Sequence, residues 1–152
     1  MNLPHNKTSF RRQGGISLIE VLVAVVVLAI GALGMAGLQM RALKGGQSSV
    51  QRSQAVIMSN YMFDAIRADR QNAANYSMAM TCAVPNGGSR MANAQRDWIQ
   101  GLKNALGNAA TTCGQIACAP TGTDTLCTVS VRWDDTSAGG SATETLATSS
   151  RL

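Results

Sequence analysis

Large aromatic side chains and histidine are scarce in this chain. Its 152 residues include two Phe, two Tyr and two Trp, and the only histidine is His5. A region so poor in large side chains can bury only a modest hydrophobic core. Its folding therefore calls for disulfides, partners or a long packed helix. Beyond His5, no imidazole is present to serve as a general base or a metal ligand.

Catalytic carboxylates are also scarce. The only glutamates are Glu20, which lies inside an apolar run, and Glu144. Asp134 and Asp135 are adjacent, and adjacent strand residues point to opposite faces, so we interpret this pair as the start of a turn. No glycine-rich phosphate loop adjoins a predicted strand, and no nucleophile–base pair can be assembled. We expect no enzymatic activity, no metal and no cofactor.

Basic charge is concentrated near the N-terminus. The formal net charge is +5, but Lys7, Arg11 and Arg12 precede the apolar run. From Ile16 onward, ten basic residues face eight acidic ones, a balance of only +2. No Lys/Arg block with interleaved aromatic residues follows, so nucleic-acid binding is not expected.

One long apolar run spans Ile16–Leu38, and Glu20 is its only strongly polar member. As a helix it extends roughly 34 Å, which is enough to cross a bilayer core of about 30 Å. The basic flank on its N-terminal side predicts that this end stays cytoplasmic and that the rest of the chain is exported. The sequence thus predicts a single-pass membrane protein.

The chain from Gln39 to about Asn72 lacks proline and has apolar residues at helical spacing. We therefore expect one long helix, half in lipid and half exported, whose apolar stripe is covered by a small domain formed by residues 73–152. Within that domain the sequence predicts a short helix, a loop and two strands. Their respective bounds are Asn93–Leu106, Thr111–Asp124, Leu126–Trp133 and Thr143–Thr148.

The four cysteines all follow the apolar run, at Cys82, Cys113, Cys118 and Cys127. An even count in a small exported region favours two disulfides. Zinc is disfavoured because the spacings form no CxxC pair and no histidine follows. Three pairings are open, as are free or intermolecular thiols. The sequence favours Cys113–Cys118 closing a local loop and Cys82–Cys127 stapling the domain together.

The string GGISLIE (Gly14–Glu20), basic before and apolar after, resembles the cleavage signal of type IV prepilins. The resemblance implies that prepilin peptidase cuts after Gly15 and that the new N-terminus, Ile16, is N-methylated. It also implies that Glu20 pairs with a terminal amine in the assembling filament. Cutting after Gly15 makes Glu20 the fifth mature residue, as in the family, whereas the family usually has Phe where this chain has Ile16.

The physical chemistry of a buried charge agrees with this resemblance. A carboxylate in a membrane helix is costly, and it becomes tolerable when an opposite charge meets it. A terminal amine and a carboxylate within one apolar bundle can thereby set the axial register of subunits. A secretory signal peptide is the rival interpretation of the run, but no A-x-A site closes it.

Further segments resemble the PilV-type minor pilins, the type IV pilus modification group. They are IEVLVAVVVLAIGALGMAGLQ, QRSQAVIMSNYMFDAIRADR and CTVSVRWDD. The resemblance implies an α+β, lollipop-like fold, with one long N-terminal helix packed against a small antiparallel sheet. It divides the chain into a leader (1–15), a transmembrane half-helix (16–38), an exported half-helix (39–72) and a small domain (73–152).

The resemblance also implies a location and partners. The chain is expected in the inner membrane with its C-terminal domain in the periplasm, and then outside the cell within the pilus. Its expected partners are major and minor pilins, contacted through the N-terminal helix, and the prepilin peptidase. Three alternatives remain open, namely a pseudopilin of a type II secretion system, a tip adhesin or binding module, and a plain membrane protein with one span.

Overall fold

The computed structural model describes residues 15–152, so the predicted leader lies outside it except for Gly15. The chain divides into two compact units after Met40. A single α-helix, α1 (Leu18–Arg67), contains 50 residues. It remains helical through Gly45 and Gly46 and ends five residues before the predicted end. A 3₁₀-helix follows at Arg70–Tyr76.

The second helix, α2 (Arg90–Leu106), confirms the predicted short helix and begins three residues earlier than expected. Its start is set by Ser89, whose hydroxyl oxygen accepts a hydrogen bond from the backbone N–H of Ala92 at 3.1 Å. This contact satisfies one of the free N–H groups of the first turn. The helix stops at Gly107, where φ is +104°, a conformation that glycine adopts without a steric penalty.

Four antiparallel strands form one sheet in the order β1-β2-β3-β4. Their bounds are Met78–Thr81 (β1), Cys113–Thr121 (β2), Asp124–Trp133 (β3) and Glu144–Arg151 (β4). The long helix with a small antiparallel sheet confirms the α+β fold class. The strand predicted at Leu126–Trp133 is also observed within β3, where Cys127, Val129, Val131 and Trp133 are buried while the residues between them are not.

The predicted loop at Thr111–Asp124 is wrong, because most of this segment is strand β2. It pairs with β3 along its whole length around a turn at Gly122, where φ is +65°. Pro120 lies where β1 no longer covers β2, since β1 pairs only with Gly114 and Ile116. A proline is tolerated there because the edge needs no backbone N–H donor.

The core of the second unit lies between the sheet and the helices. Trp98 of α2 is fully buried, and its indole Nε1 donates to the backbone carbonyl of Met58 at 2.9 Å. On the sheet side, Trp98 packs so closely on Gly114 that a Cβ there would lie 2.5 Å from the indole Cζ3. The α1 side chains that complete this core are Ala55, Met62, Phe63 and Ile66.

Strand β4 is joined to α1 by polar contacts. Near the start of the strand, Glu144 forms an ion pair with Arg52. Near its end, Ser150 Oγ accepts a hydrogen bond from Arg67 Nη2 at 3.1 Å. The connection before β4 adds a further contact, in which Ser48 Oγ donates to the buried carboxylate of Asp135 at 2.6 Å.

Candidate processing and assembly site

The residues predicted to be processed precede the first turn of α1. Gly15, Ile16 and Ser17 are non-helical and exposed. The carbonyl oxygen of Ser17 accepts hydrogen bonds from the backbone N–H groups of Glu20 and Val21, at 3.0 and 3.3 Å. The helix therefore begins just after Ser17, and the Gly15–Ile16 peptide bond lies outside helical structure. A peptidase needs such an accessible, unwound bond.

Glu20 lies in the first helical turn and is exposed. The free N–H groups at a helix N-terminus carry partial positive charge, so a carboxylate there is stabilised by typically about 0.3–1 kcal/mol. Glu20 forms no salt bridge with any residue in the described range 15–152. Its carboxylate is thus positioned, exposed, at the start of the helix.

The first half of α1 exposes all of its large apolar side chains. Between Leu18 and Leu43, each such residue is at least 48% exposed. By length and composition α1 could cross a membrane. Added Cβ atoms at Gly31, Gly34 and Gly37 would meet no heavy atom within 4 Å. The segment therefore has an apolar surface, with open space at three glycines, that nothing within its own unit covers.

Comparison with known families identifies this segment. Residues 10–36 match the family described as the prokaryotic N-terminal methylation motif. This match supports a type IV pilin-like prepilin. It covers Gly15, Ile16 and Glu20, and the family it points to is structural rather than catalytic. No curated protein and no solved structure matches the chain.

A pilin-like prepilin is processed by prepilin peptidase, is anchored in the membrane and assembles with other pilins. The motif is shared by pilus and pseudopilus subunits. The match therefore supports a pilin-like prepilin and does not distinguish these two kinds of subunit. The matched range is less than a fifth of the chain. The second compact unit, residues 41–152, lies wholly beyond it.

All four cysteines are disulfide-bonded, but the favoured pairing is wrong. The bonds are Cys82–Cys113 and Cys118–Cys127. Cys113 and Cys118 lie on the same strand, five residues and about 16 Å apart, too far for a disulfide. Cys118 lies opposite Cys127 across the β2–β3 pair. The pairing of Thr81 with Gly114 brings Cys82 beside Cys113.

The adjacent aspartates have different environments. Asp134 Oδ1 accepts hydrogen bonds from the backbone N–H and the hydroxyl of Thr136, at 2.9 and 2.6 Å, and these bonds lower the pKa of Asp134. Asp135 is buried and accepts from Ser48. A side chain at Gly140 would overlap the Asp135 carboxyl group. The two carboxyl groups therefore have turn and packing roles and do not form an acid–base pair.

The sequence did not reveal the role of Arg132. On β3 its guanidinium Nη2 lies 3.1 Å from Cys113 Sγ and 3.6 Å from Cys82 Sγ. An arginine in an alternating strand is ordinarily a solvated residue on the outer face. Only the register of β2 on β3, which pairs Cys113 with Arg132, could have signalled this contact.

Proposed function

We propose that this chain is the precursor of a minor pilin of the PilV type. Prepilin peptidase cleaves it after Gly15, Ile16 is N-methylated, and the mature subunit enters a type IV pilus. There it supports initiation and assembly of the filament, and hence twitching motility and adhesion. The exported domain presents its surface at or near the tip of the pilus, and the helix packs with major and minor pilins.

The position of Glu20 carries this proposal. It lies in the first turn of a helix whose apolar side chains are exposed, within a segment that matches the methylation motif. Cleavage after Gly15 would create an amine at Ile16, four residues before the carboxylate. The amine of one subunit and the carboxylate of its neighbour would then meet in an apolar helix bundle.

Burial of that ion pair explains why a carboxylate occurs in an apolar helix. Removal of one partner from a buried ion pair typically costs about 3–5 kcal/mol because the other charge is left uncompensated. A helix bundle in which every subunit carries one amine and one carboxylate is therefore most stable in the register that pairs them. In this proposal, Glu20 selects the axial position at which the subunit enters the filament.

Processing is tested by mass spectrometry of the membrane form from cells with active prepilin peptidase. We expect an N-terminus at Ile16 carrying one methyl group. Cells lacking the peptidase provide the control, in which residues 1–15 should remain attached. An intact leader in cells with active peptidase would overturn the proposal.

Assembly is tested with Glu20→Ala and Glu20→Gln. Both variants should be cleaved normally, and the amount recovered in sheared pili should fall by at least about tenfold, since a buried amine loses its partner. Glu144→Gln makes the same chemical change in the exported domain and should leave incorporation unchanged. Normal incorporation of both Glu20 variants would refute the pairing role.

Pilus and pseudopilus subunits share the motif, and deletion of the gene distinguishes between these two assignments. Loss of surface pili and twitching, with normal protein secretion, is the expected result. Loss of secretion with normal pili would assign the chain to a type II secretion system. Normal pilus number with loss of attachment alone would instead indicate a tip adhesin.

A further inference from the structure

The Cys82–Cys113 disulfide has a cation in contact with both of its sulfur atoms. The Nη2 atom of Arg132 lies 3.1 Å from Cys113 Sγ and 3.6 Å from Cys82 Sγ. Arg132 forms no salt bridge with a carboxylate anywhere in residues 15–152. Its Nε atom is buried without a hydrogen-bond partner. The charge of Arg132 is therefore directed at the disulfide.

The two sulfurs of this bond differ in burial. Cys113 is fully buried, whereas Cys82 is half-buried and leads into the loop that connects β1 to α2. An incoming nucleophile therefore reaches the sulfur of Cys82 more easily. Attack at that sulfur would release Cys113, which is the residue nearer to the guanidinium.

We propose that Cys82 is a thiol-exchange site, at which an external thiolate forms a mixed disulfide. The thiolate attacks Cys82 Sγ, a new sulfur–sulfur bond forms to Cys82, and the Cys82–Cys113 bond breaks. The bonding pair leaves with Cys113 as a thiolate, which Arg132 stabilises. No further oxidant or proton is needed for this step, and the attack by Cys113 on the mixed disulfide reverses it.

The guanidinium is the dominant charge at this leaving group. A neighbouring arginine stabilises a thiolate and lowers the pKa of its thiol, and a thiol of lower pKa leaves faster in thiol–disulfide exchange. The backbone carbonyl oxygens of Thr111 and Ala110 also lie 3.2 and 3.7 Å from Cys113 Sγ. These partial charges oppose the thiolate, but a full charge at 3.1 Å outweighs them.

The second disulfide provides an internal control. Cys127 is fully buried and Cys118 is half-buried, so their accessibility resembles that of Cys113 and Cys82. Within residues 15–152, no arginine or lysine contacts either of their sulfur atoms by a hydrogen bond. We therefore expect the Cys82–Cys113 bond to open first, because it alone has a stabilised leaving group.

The test uses the full-length protein in detergent, treated with reduced glutathione and quenched at intervals with an alkylating reagent. Peptide mass mapping should find glutathione on Cys82 and the alkyl group on Cys113 while Cys118–Cys127 remains intact. A parallel arm uses a reduced dithiol protein, thioredoxin, as the nucleophile. Comparison of the two rates of opening of Cys82–Cys113 shows whether a small thiol or a protein thiol reacts faster at Cys82. Opening of Cys118–Cys127 first, or glutathione on Cys113, overturns the proposal without any mutation.

Variants of Arg132 test the electrostatic cause. Arg132→Gln should slow the opening of Cys82–Cys113 by about three- to tenfold, because the thiolate loses its counter-charge. Arg132→Lys keeps the charge and should restore most of the rate. Arg151→Gln removes the same charge from an exposed position on β4 and should leave the rate unchanged.

A purely structural role for Arg132 predicts a different result. In that case Arg132→Gln would loosen the domain and speed the opening of both disulfides, and Arg132→Lys would show no selective rescue. Equal opening rates in wild type and Arg132→Gln would likewise overturn the proposal. Far-ultraviolet circular dichroism of each variant confirms that folded proteins are compared.

Discussion

The two halves of α1 belong to one continuous helix but are stabilised in different ways. In the first half, every large apolar side chain from Leu18 to Leu43 is exposed. In the second half, Ala55, Met62 and Ile66 are buried against the small domain. The second half is therefore stabilised by its own chain, whereas the apolar surface of the first half requires lipid or other helices. Folding of residues 41–152 and the proposed filament assembly can consequently be changed independently.

The largest expected effect compares one substitution in both halves. Ile66 is 0% exposed and Ile30 is 67% exposed. Ile66→Ala should lower the free energy of unfolding of the unit formed by residues 41–152 by about 2–5 kcal/mol, through lost burial and a cavity. Ile30→Ala should change it by less than about 0.5 kcal/mol. Denaturant titration in detergent, followed by the fluorescence of buried Trp98 and Trp133, measures both values.

Equal losses in these two variants would contradict the separation of the halves. The result would mean that Ile30 contributes to the stability of residues 41–152. A filament-incorporation assay completes the comparison. Under the proposed function, Ile30→Ala should reduce the amount of protein recovered in sheared pili, while its free energy of unfolding stays nearly that of the wild type.

The next largest effect on stability is expected from one glycine-to-alanine substitution made at two positions, one buried and one exposed. A Cβ at Gly114 would lie 2.5 Å from Cζ3 of Trp98 and 2.8 Å from Cδ1 of Ile99, whereas one at Gly31 would meet nothing within 4 Å. Gly114→Ala should destabilise the domain by about 1–3 kcal/mol through overpacking. Gly31→Ala should leave it unchanged, and alanine favours the helix. The same titration measures both, and unchanged stability in Gly114→Ala would show that Trp98 can shift.

The smallest effect concerns the ion pair that joins α1 to β4. The side chains of Arg52 and Glu144 are 58% and 22% exposed, so solvent screens much of their attraction. Glu144→Gln should lower the free energy of unfolding by about 0–1 kcal/mol. The loss should shrink in 1 M salt, where the screening length falls to about 3 Å. Arg52→Gln should show the same salt dependence. A loss of stability that does not change with salt would indicate that these side chains contribute through packing rather than through their charges.

Local signals allowed most helices and strands to be predicted from the sequence. The helix predicted at Asn93–Leu106 corresponds to α2, and the strand predicted at Leu126–Trp133 lies within β3. Strand β2 was missed because Cys113–Thr121 contains Gly, Ala, Pro and Thr, which are typical of loops. It is a strand because it pairs with β3 along its whole length, and no local pattern contains that information.

The candidate site shows the same limit. Glu20 stands out in the sequence because a carboxylate in an apolar run is costly, and this signal needs no tertiary structure to be recognised. The disulfide pairing and the contact of Arg132 with Cys113 depend on which residues the β2–β3 register places opposite each other. Such contacts become predictable only once the sheet is known.

The attachment of β4 to α1 has a mechanical consequence. From Arg52 to Arg67 the helix rises about 22 Å, and from Glu144 to Ser150 the strand rises about 20 Å, so the two polar contacts lie at matched distances along both elements. Strand and helix therefore run in the same direction, attached at both ends. Force applied along this part of α1 would therefore load β4 along its own axis, so that the hydrogen bonds joining β4 to β3 would be sheared together.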